Sequence, residues 1–223
     1  MFRPWASIWC SPRMTIRQIV AESPNRSFWC LAAIYGFSSL LNTFQSIYLG
    51  LHMPLLGILL LAAVLSPFWG YVFFSIWGWI VTVTGKWLKG TAPFLAVRAA
   101  YSWSCVPLLI NIPLWLLLAA VFGQDLFVNF SQGAILTGGQ ASLLFLVLLI
   151  RLGAAIWSLV LYVNALAEVQ GFSILRALGN ILISGAIIGI VSYVLLLLFN
   201  SAFHATMSLT VFLNEPFNSL RPL

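Results

Sequence analysis

Long, almost unbroken apolar stretches alternate with short polar or Gly-containing segments along this chain. From residue 27 to residue 85 no Asp, Glu, Lys or Arg occurs. A bilayer crossing takes about 20 mainly apolar residues, so this run holds two helices, joined at Gly50-Leu51-His52-Met53-Pro54 where Gly and Pro interrupt the helical pattern. The expected spans are 28–49, 55–84, 97–122, 141–166 and 177–199, each bounded by polar or Gly-containing residues. The pattern predicts an all-α membrane protein, a bundle of five transmembrane helices. A β-barrel is excluded because these runs are long and continuously apolar, without period-two alternation.

Residues 1–27 read differently. Trp5, Ile8 and Trp9 share one helical face and Ile16, Ile19 and Val20 another, with Pro12 and Pro24 as boundaries and Thr15 and Gln18 spaced as a capping box. This predicts a cytosolic amphipathic segment lying at the membrane interface. It is not a cleavable signal peptide, since Arg3, Arg13 and Arg17 are spread through it with no apolar run between a basic start and a cleavage site. Residues 28–199 then form the transmembrane domain and 200–223 an outer tail.

Charge sets the orientation. Arg3, Arg13, Arg17, Arg26, Lys86, Lys89, Arg98 and Arg176 fall on one side of the five spans and only Arg221 on the other, and cytoplasmic loops are the ones enriched in Lys and Arg. The N-terminus is therefore expected inside and the C-terminus outside. Trp5, Trp9, Trp29, Trp77, Trp79, Trp87 and Trp103 map to the inner interface, where an indole keeps its ring apolar and its N–H near water. The net charge of +6 reads as topology and adhesion to anionic lipid, not nucleic-acid binding.

Composition narrows the chemistry. With 62% hydrophobic and 6% charged residues and a mean hydropathy of +1.05, the chain is an integral membrane protein. The only acids, Glu22, Asp125, Glu168 and Glu215, are widely separated, leaving little for carboxylate catalysis or a metal site. Cys10, Cys30 and Cys105 form no CxxC, His52 and His204 are isolated, and Gly85-Lys86 lacks the rest of a phosphate-binding loop. No enzyme activity, cofactor or metal is expected. Asn129-Phe130-Ser131 is a formal glycosylation sequon, meaningful only in a eukaryotic secretory pathway.

The candidate positions lie inside the spans. Ala62, Ser66 and Gly70 recur every four residues beside Pro67, a spacing that lets another helix approach closely. The third span carries Pro107 and Pro113 with Asn111 between them, a doubly interrupted helix that either lines a cavity or is accommodated by its neighbours. Gly185 and Gly189 form GxxxG in the fifth span, read chiefly as intrachain helix packing. Arg151 is the ionisable residue well inside a span, where an arginine costs about 2.5–3.5 kcal/mol. Three placements are open to it: snorkelling outward toward Asp125 or lipid phosphate, contact with freed carbonyls or Asn111, or an anionic ligand or partner subunit.

Three stretches resemble the Yip (Ypt-interacting protein) family in its compact prokaryotic form. They are Trp5…Ile8…Ser11-Pro12…Thr15…Ile19…Pro24; Gly85-Lys86 through Phe94…Ala99-Ala100-Tyr101-Ser102…Pro107; and Ile156-Trp157-Ser158-Leu159-Val160-Leu161 with Glu168-Val169-Gln170-Gly171-Phe172-Ser173 and Arg176-Ala177-Leu178. The resemblance implies five membrane helices and a cytosolic N-terminus. Eukaryotic members are trafficking adaptors that engage Rab-type GTPases. The long N-terminal region with its acidic-leucine and Gly-Pro signature is not found here, so that binding does not carry over. The expected role is a non-enzymatic scaffold or accessory subunit of a transport or envelope assembly in the bacterial cytoplasmic membrane, in contact with lipid and with a membrane-protein partner or a second copy. The alternative is a small transporter or channel for lipid or an anionic solute, built on the broken third span and Arg151.

Overall fold

The computed structural model describes residues 4–128 and 136–218, with side chains described up to residue 202. The helices are α1 (Pro4–Ser7), α2 (Pro12–Glu22), α3 (Phe28–Ser46), α4 (Leu55–Trp87), α5 (Phe94–Ser104), α6 (Asn111–Phe122), α7 (Gly138–Gln170) and α8 (Ile174–Asn218). Short 3₁₀ segments occupy Leu49–Leu51, Val106–Ile110 and Gly123–Phe127. No strand occurs among the described residues. Met1–Ile181 form one compact unit and Leu182–Leu223, the continuation of α8, a second. The sequon and Arg221 lie outside the described residues.

Four segments are long and apolar enough to cross a bilayer: Leu55–Trp87, Val106–Phe127, Gly138–Gln170 and Ile174–Ala202. The first of the five expected spans corresponds to α3, which is helical but falls short in apolarity because Ser38, Ser39, Asn42, Thr43, Gln45 and Ser46 lie along it.

The third span differs more. Its helix does not run through 97–122: α5 ends at Ser104 and the apolar crossing begins at Val106. Pro107 has no N–H to give to Trp103, and the chain tightens into a 3₁₀ segment there. Pro113 causes no second break, because it falls in the first turn of α6, where its missing N–H is not needed. The fifth helix also departs from expectation: nothing between Asn200 and Glu215 stops a helix, and α8 runs on to Asn218 where a tail from residue 200 was expected.

The α3–α4 pair is the closest helix crossing. A Cβ on Gly36 would fall onto the Ser66 carbonyl oxygen, and one on Gly70 onto the Ala32 carbonyl. The small-residue stripe of α4 therefore meets Ala32 and Gly36 of α3. Pro67 frees the Ala63 carbonyl within α4, and the Ser66 hydroxyl donates to it at 2.9 Å. Where no water reaches, this bond replaces the missing backbone N–H.

The turn between α3 and α4 is held by Gln124. Its amide donates to the carbonyls of Gly50 (2.6 Å) and Met53 (2.7 Å) and accepts from Leu55 N–H at 2.6 Å. At the N-terminal end of α3, α1 and α2 close over α5 and α7. Ile8, Ile16 and Ile19 are fully buried in one cluster with Phe28, Phe74, Trp103 and Leu161. Ile8, Ile16 and Ile19 of the two apolar faces thus have a protein partner, while Trp5 and Trp9 stay exposed. Thr15 caps nothing: Pro12 begins α2 after Ser11, and the Thr15 hydroxyl instead donates to Ser11 O and lies in hydrogen-bond contact with the Ser7 hydroxyl, both at 2.9 Å.

Candidate functional site

The break at Cys105–Pro107 organises the centre of the molecule. When α5 stops, its last carbonyls lose their helical donors. The buried Ser158 hydroxyl of α7 supplies one, donating to Ser104 O at 2.9 Å. Around it runs a column of aromatic rings. Tyr101 lies 4.9 Å from Tyr162, 5.5 Å from Phe74 and 5.6 Å from Trp77 by ring centroid, and Trp77 Nε1 donates to Tyr162 Oη at 3.0 Å. The column joins α4, α5 and α7, and Tyr35 of α3 extends it at 5.0 Å from Phe74.

Beside the break is a cavity of about 120 Å³ between α3 and the Val106–Ile110 and α6 segments. Its polar side chains are Tyr35, Ser38, Ser39 and Asn42 from α3 and Asn111 from α6, with Cys105 at the break. Asn42 Nδ2 donates to Ser38 O at 2.8 Å and Ser39 Oγ accepts from Trp69 Nε1 at 3.2 Å. Ser38 Oγ and Asn111 Oδ1 are buried without a hydrogen-bond partner among the described residues. Of the positions singled out in the sequence, Pro107 makes the break and Asn111 lines the cavity. Pro113 sets the start of α6.

Arg151, on α7, meets Trp115, a turn further along α6 than Asn111. Its guanidinium carbon lies 4.6 Å from the centroid of the fully buried Trp115 ring, so the cation rests on the indole face and does not reach out to Asp125. Nε and Nη2 are buried with no acceptor among the described residues. Gly185 and Gly189 belong to the second unit and join neither group.

Two further clusters lie apart from the cavity. Arg98, which the charge pattern places among the cytosolic cations, is instead buried: its guanidinium carbon is 4.1 Å from the Phe28 ring centroid and 5.2 Å from that of Phe94, and Nη2 donates to Asn25 Oδ1 at 2.7 Å. Trp103 likewise leaves the interfacial belt for the core, 5.1 Å from Trp5. The second cluster joins the ends of α4, α7 and the start of α8. Thr84 Oγ1 donates to Asn180 Oδ1 at 2.6 Å, Asn180 Nδ2 donates to Val81 O at 3.2 Å, and Gln170 Oε1 accepts from Ala92 N–H at 3.3 Å. Gly85 and Gly90 are both pressed against the Gln170 amide, where a Cβ would collide. The separated motifs Gly85-Lys86 and Glu168-Val169-Gln170-Gly171 are thus two halves of one contact. Nothing in the local sequence shows that pairing.

The carboxylates of Glu168 and Glu22 hold structure. Glu168 pairs with Arg17 of α2 at 2.6 Å and Glu22 with Arg26 at 2.7 Å, while Arg13 Nε donates to Asn164 Oδ1 at 3.2 Å. Among the described residues no group of three His, Cys, Asp or Glu side chains has metal-site geometry.

The family model described as Yip1 domain matches residues 6–208, nearly the whole chain. No curated protein and no solved structure matches it.

Proposed function

Since the chain belongs to the Yip1 domain family and is a multi-pass integral membrane protein, we propose that it is a scaffold or accessory subunit for a transport or envelope assembly in the bacterial cytoplasmic membrane. In this reading α3 is the fifth crossing. Its 19 residues span about 28 Å at about 1.5 Å per residue. Its polar side chains have their donors engaged: Asn42, Thr43 and Ser46 donate to carbonyls one turn back, and Gln45 Nε2 donates to Leu126 O at 3.0 Å. Five crossings with the basic residues inside put the N-terminus in the cytoplasm and the C-terminus outside.

The observation that carries the scaffold reading is Arg151. A cation inside an apolar span is costly unless something pairs with its charge, and Arg151 is only partly buried, so a partner can meet the guanidinium at its exposed edge while Nε and Nη2 stay closed against the protein. It lies on α7, whose side chains Phe145, Leu148, Leu149, Leu152 and Ile156 are exposed. A membrane-protein partner, or a second copy, offering a carboxylate or free carbonyl at that depth completes the arrangement. Gly185 and Gly189 give α8 a small-residue face for a close helix crossing.

Purification in mild detergent tests this reading. A stoichiometric membrane protein is expected to copurify with the parent chain and to be lost from Arg151→Leu. Solute or lipid transport by the pure protein in liposomes, with no copurifying partner, overturns it in favour of the transporter alternative.

A further inference from the structure

Arg151 stands beside a seam on α7. The buried stripe of this helix runs through Val147, Ser158, Leu161 and Ala165. With about 100° between successive residues, Arg151 falls at the rim of that stripe, and Leu148, Leu152, Ala155 and Leu159 fall beyond it on the same side. All four are exposed. Their spacing of four, three and four residues is the one along which a second helix packs lengthwise. The small Ala155, one turn from Arg151, lets such a helix come close. Nε and Nη2 of Arg151 are closed against the protein, which leaves Nη1 as the open atom of the guanidinium.

Charge selects what packs there. The cation rests on Trp115, 4.6 Å from its ring centroid, so a counter-charge has to arrive at the depth of Trp115. A freed carbonyl would accept from Nη1 but leave the positive charge unbalanced. A second copy does not provide the counter-charge, because copies inserted in one orientation hold like residues at like depths. Glu22 lies on α2 ahead of α3 and pairs with Arg26. Glu168 lies about 25 Å further along α7, at a rise of about 1.5 Å per residue, and pairs with Arg17. By the same measure Asp125 lies about 15 Å beyond Trp115, and Glu215 follows the apolar segment Ile174–Ala202. No acid of this chain remains for that depth. A symmetric contact through the seam would also bring two Arg151 side chains together, like charge against like.

We propose that the seam Leu148, Leu152, Ala155 and Leu159 docks a transmembrane helix of a different protein, one carrying an Asp or Glu at the depth of Trp115 that accepts from Arg151 Nη1. This rests on the scaffold reading and narrows it, choosing an acidic foreign helix over a second copy.

Two measurements test it. In the first, the pure full chain in phosphatidylcholine nanodiscs meets a synthetic helix of about 20 leucines and alanines with one central glutamate, or with glutamine in its place, and association is read by Förster transfer. The glutamate helix is expected to bind about tenfold more tightly, roughly the gain of a charge-assisted over a neutral hydrogen bond. Arg151→Leu is expected to abolish the difference and Arg151→Lys to keep part of it. If the leucine variant fails to fold, the comparison on the parent chain still decides, and equal binding of the two helices overturns the proposal. In the second, p-benzoylphenylalanine placed at Leu152 is photolysed in the native membrane and the cross-linked peptide is sequenced by mass spectrometry. The expected peptide comes from an apolar span of another protein and contains Asp or Glu. A peptide of this chain, a foreign span without an acid, or cross-links to lipid alone overturns the proposal. A copurifying partner that is cross-linked here without an acid sinks this inference and leaves the scaffold reading standing, whereas the absence of any copurifying protein sinks both.

Discussion

Two serines carry a task that water performs in soluble proteins. Ser66 answers the carbonyl freed by Pro67, and Ser158 answers Ser104 where α5 ends. Ser158→Ala leaves a buried carbonyl with neither water nor protein donor, so a loss of about 1–2 kcal/mol is expected, read as a lower Tm in detergent. Ser158→Thr keeps the hydroxyl and should recover most of it. An undiminished Tm for the alanine variant would mean that Ser104 finds another donor. Arg151 presents the opposite situation, a donor without an acceptor. If a partner's carboxylate completes it, Arg151→Leu inserts and folds normally but loses the partner, and Arg151→Lys keeps part of the binding, since lysine preserves the charge but not the planar fork on Trp115. Blue-native gels of the two variants separate these outcomes. A Leu variant that retains its partner would reduce Arg151 to a packing residue.

Among elements, contact distances rank the helix pairs. At the α3–α4 crossing backbone meets backbone, so a side chain at Gly36 or Gly70 has no flexible neighbour to displace. Gly70→Leu is expected to cost about 3 kcal/mol or to prevent folding, whereas Gly57→Leu on the same helix, with its nearest neighbour at 3.7 Å, should be nearly silent. Equal stabilities for the two would refute the close crossing. The docking of α2 on α7 poses a different question, whether charge or burial holds it. Arg17 is 63% exposed and its pair with Glu168 is worth at most about 1 kcal/mol, while truncating the fully buried Ile19 removes about 2–5 kcal/mol. Ile19→Ala should therefore release α2 in hydrogen exchange, and Glu168→Gln should leave it protected.

At the scale of the molecule, the decisive quantity is the number of crossings. Five place the two ends on opposite sides; if α3 fails to cross, they lie on the same side. Reporter fusions before Met1 and after Leu223 are expected to give opposite signals. Like signals would remove the odd count and the cytosolic N-terminus together. The polar residues of α3 matter here because they lower its apolarity, and their donors are engaged within the helix itself, on carbonyls one turn back.

Membership of the membrane class, the helical spans, the turn at Gly50–Pro54 and the likeness to the Yip family follow from the chain read in order. Hydropathy and helix breakers act locally, and lipid leaves the backbone almost no alternative to helix. The small-residue stripe Ala62, Ser66 and Gly70 is legible for the same reason: its spacing is a property of one helix. What meets that stripe is not, and Gly36 stands out only once α3 lies against it. Arg98 and Trp103 are placed at the interface by their chemistry and taken into the core by neighbours distant in sequence, Asn25 and Phe28 for the one, Trp5 for the other. The cavity is likewise a product of tertiary structure. Pro107 foretells a break, but a break becomes a space with a chemical character only when another helix supplies its far wall, and here α3 brings Ser38 across from Asn111. The sequence decides which segments are helices, because that depends on each residue and the next few. Which polar atoms are left without a partner depends on every helix packed around them, and only the folded chain decides it.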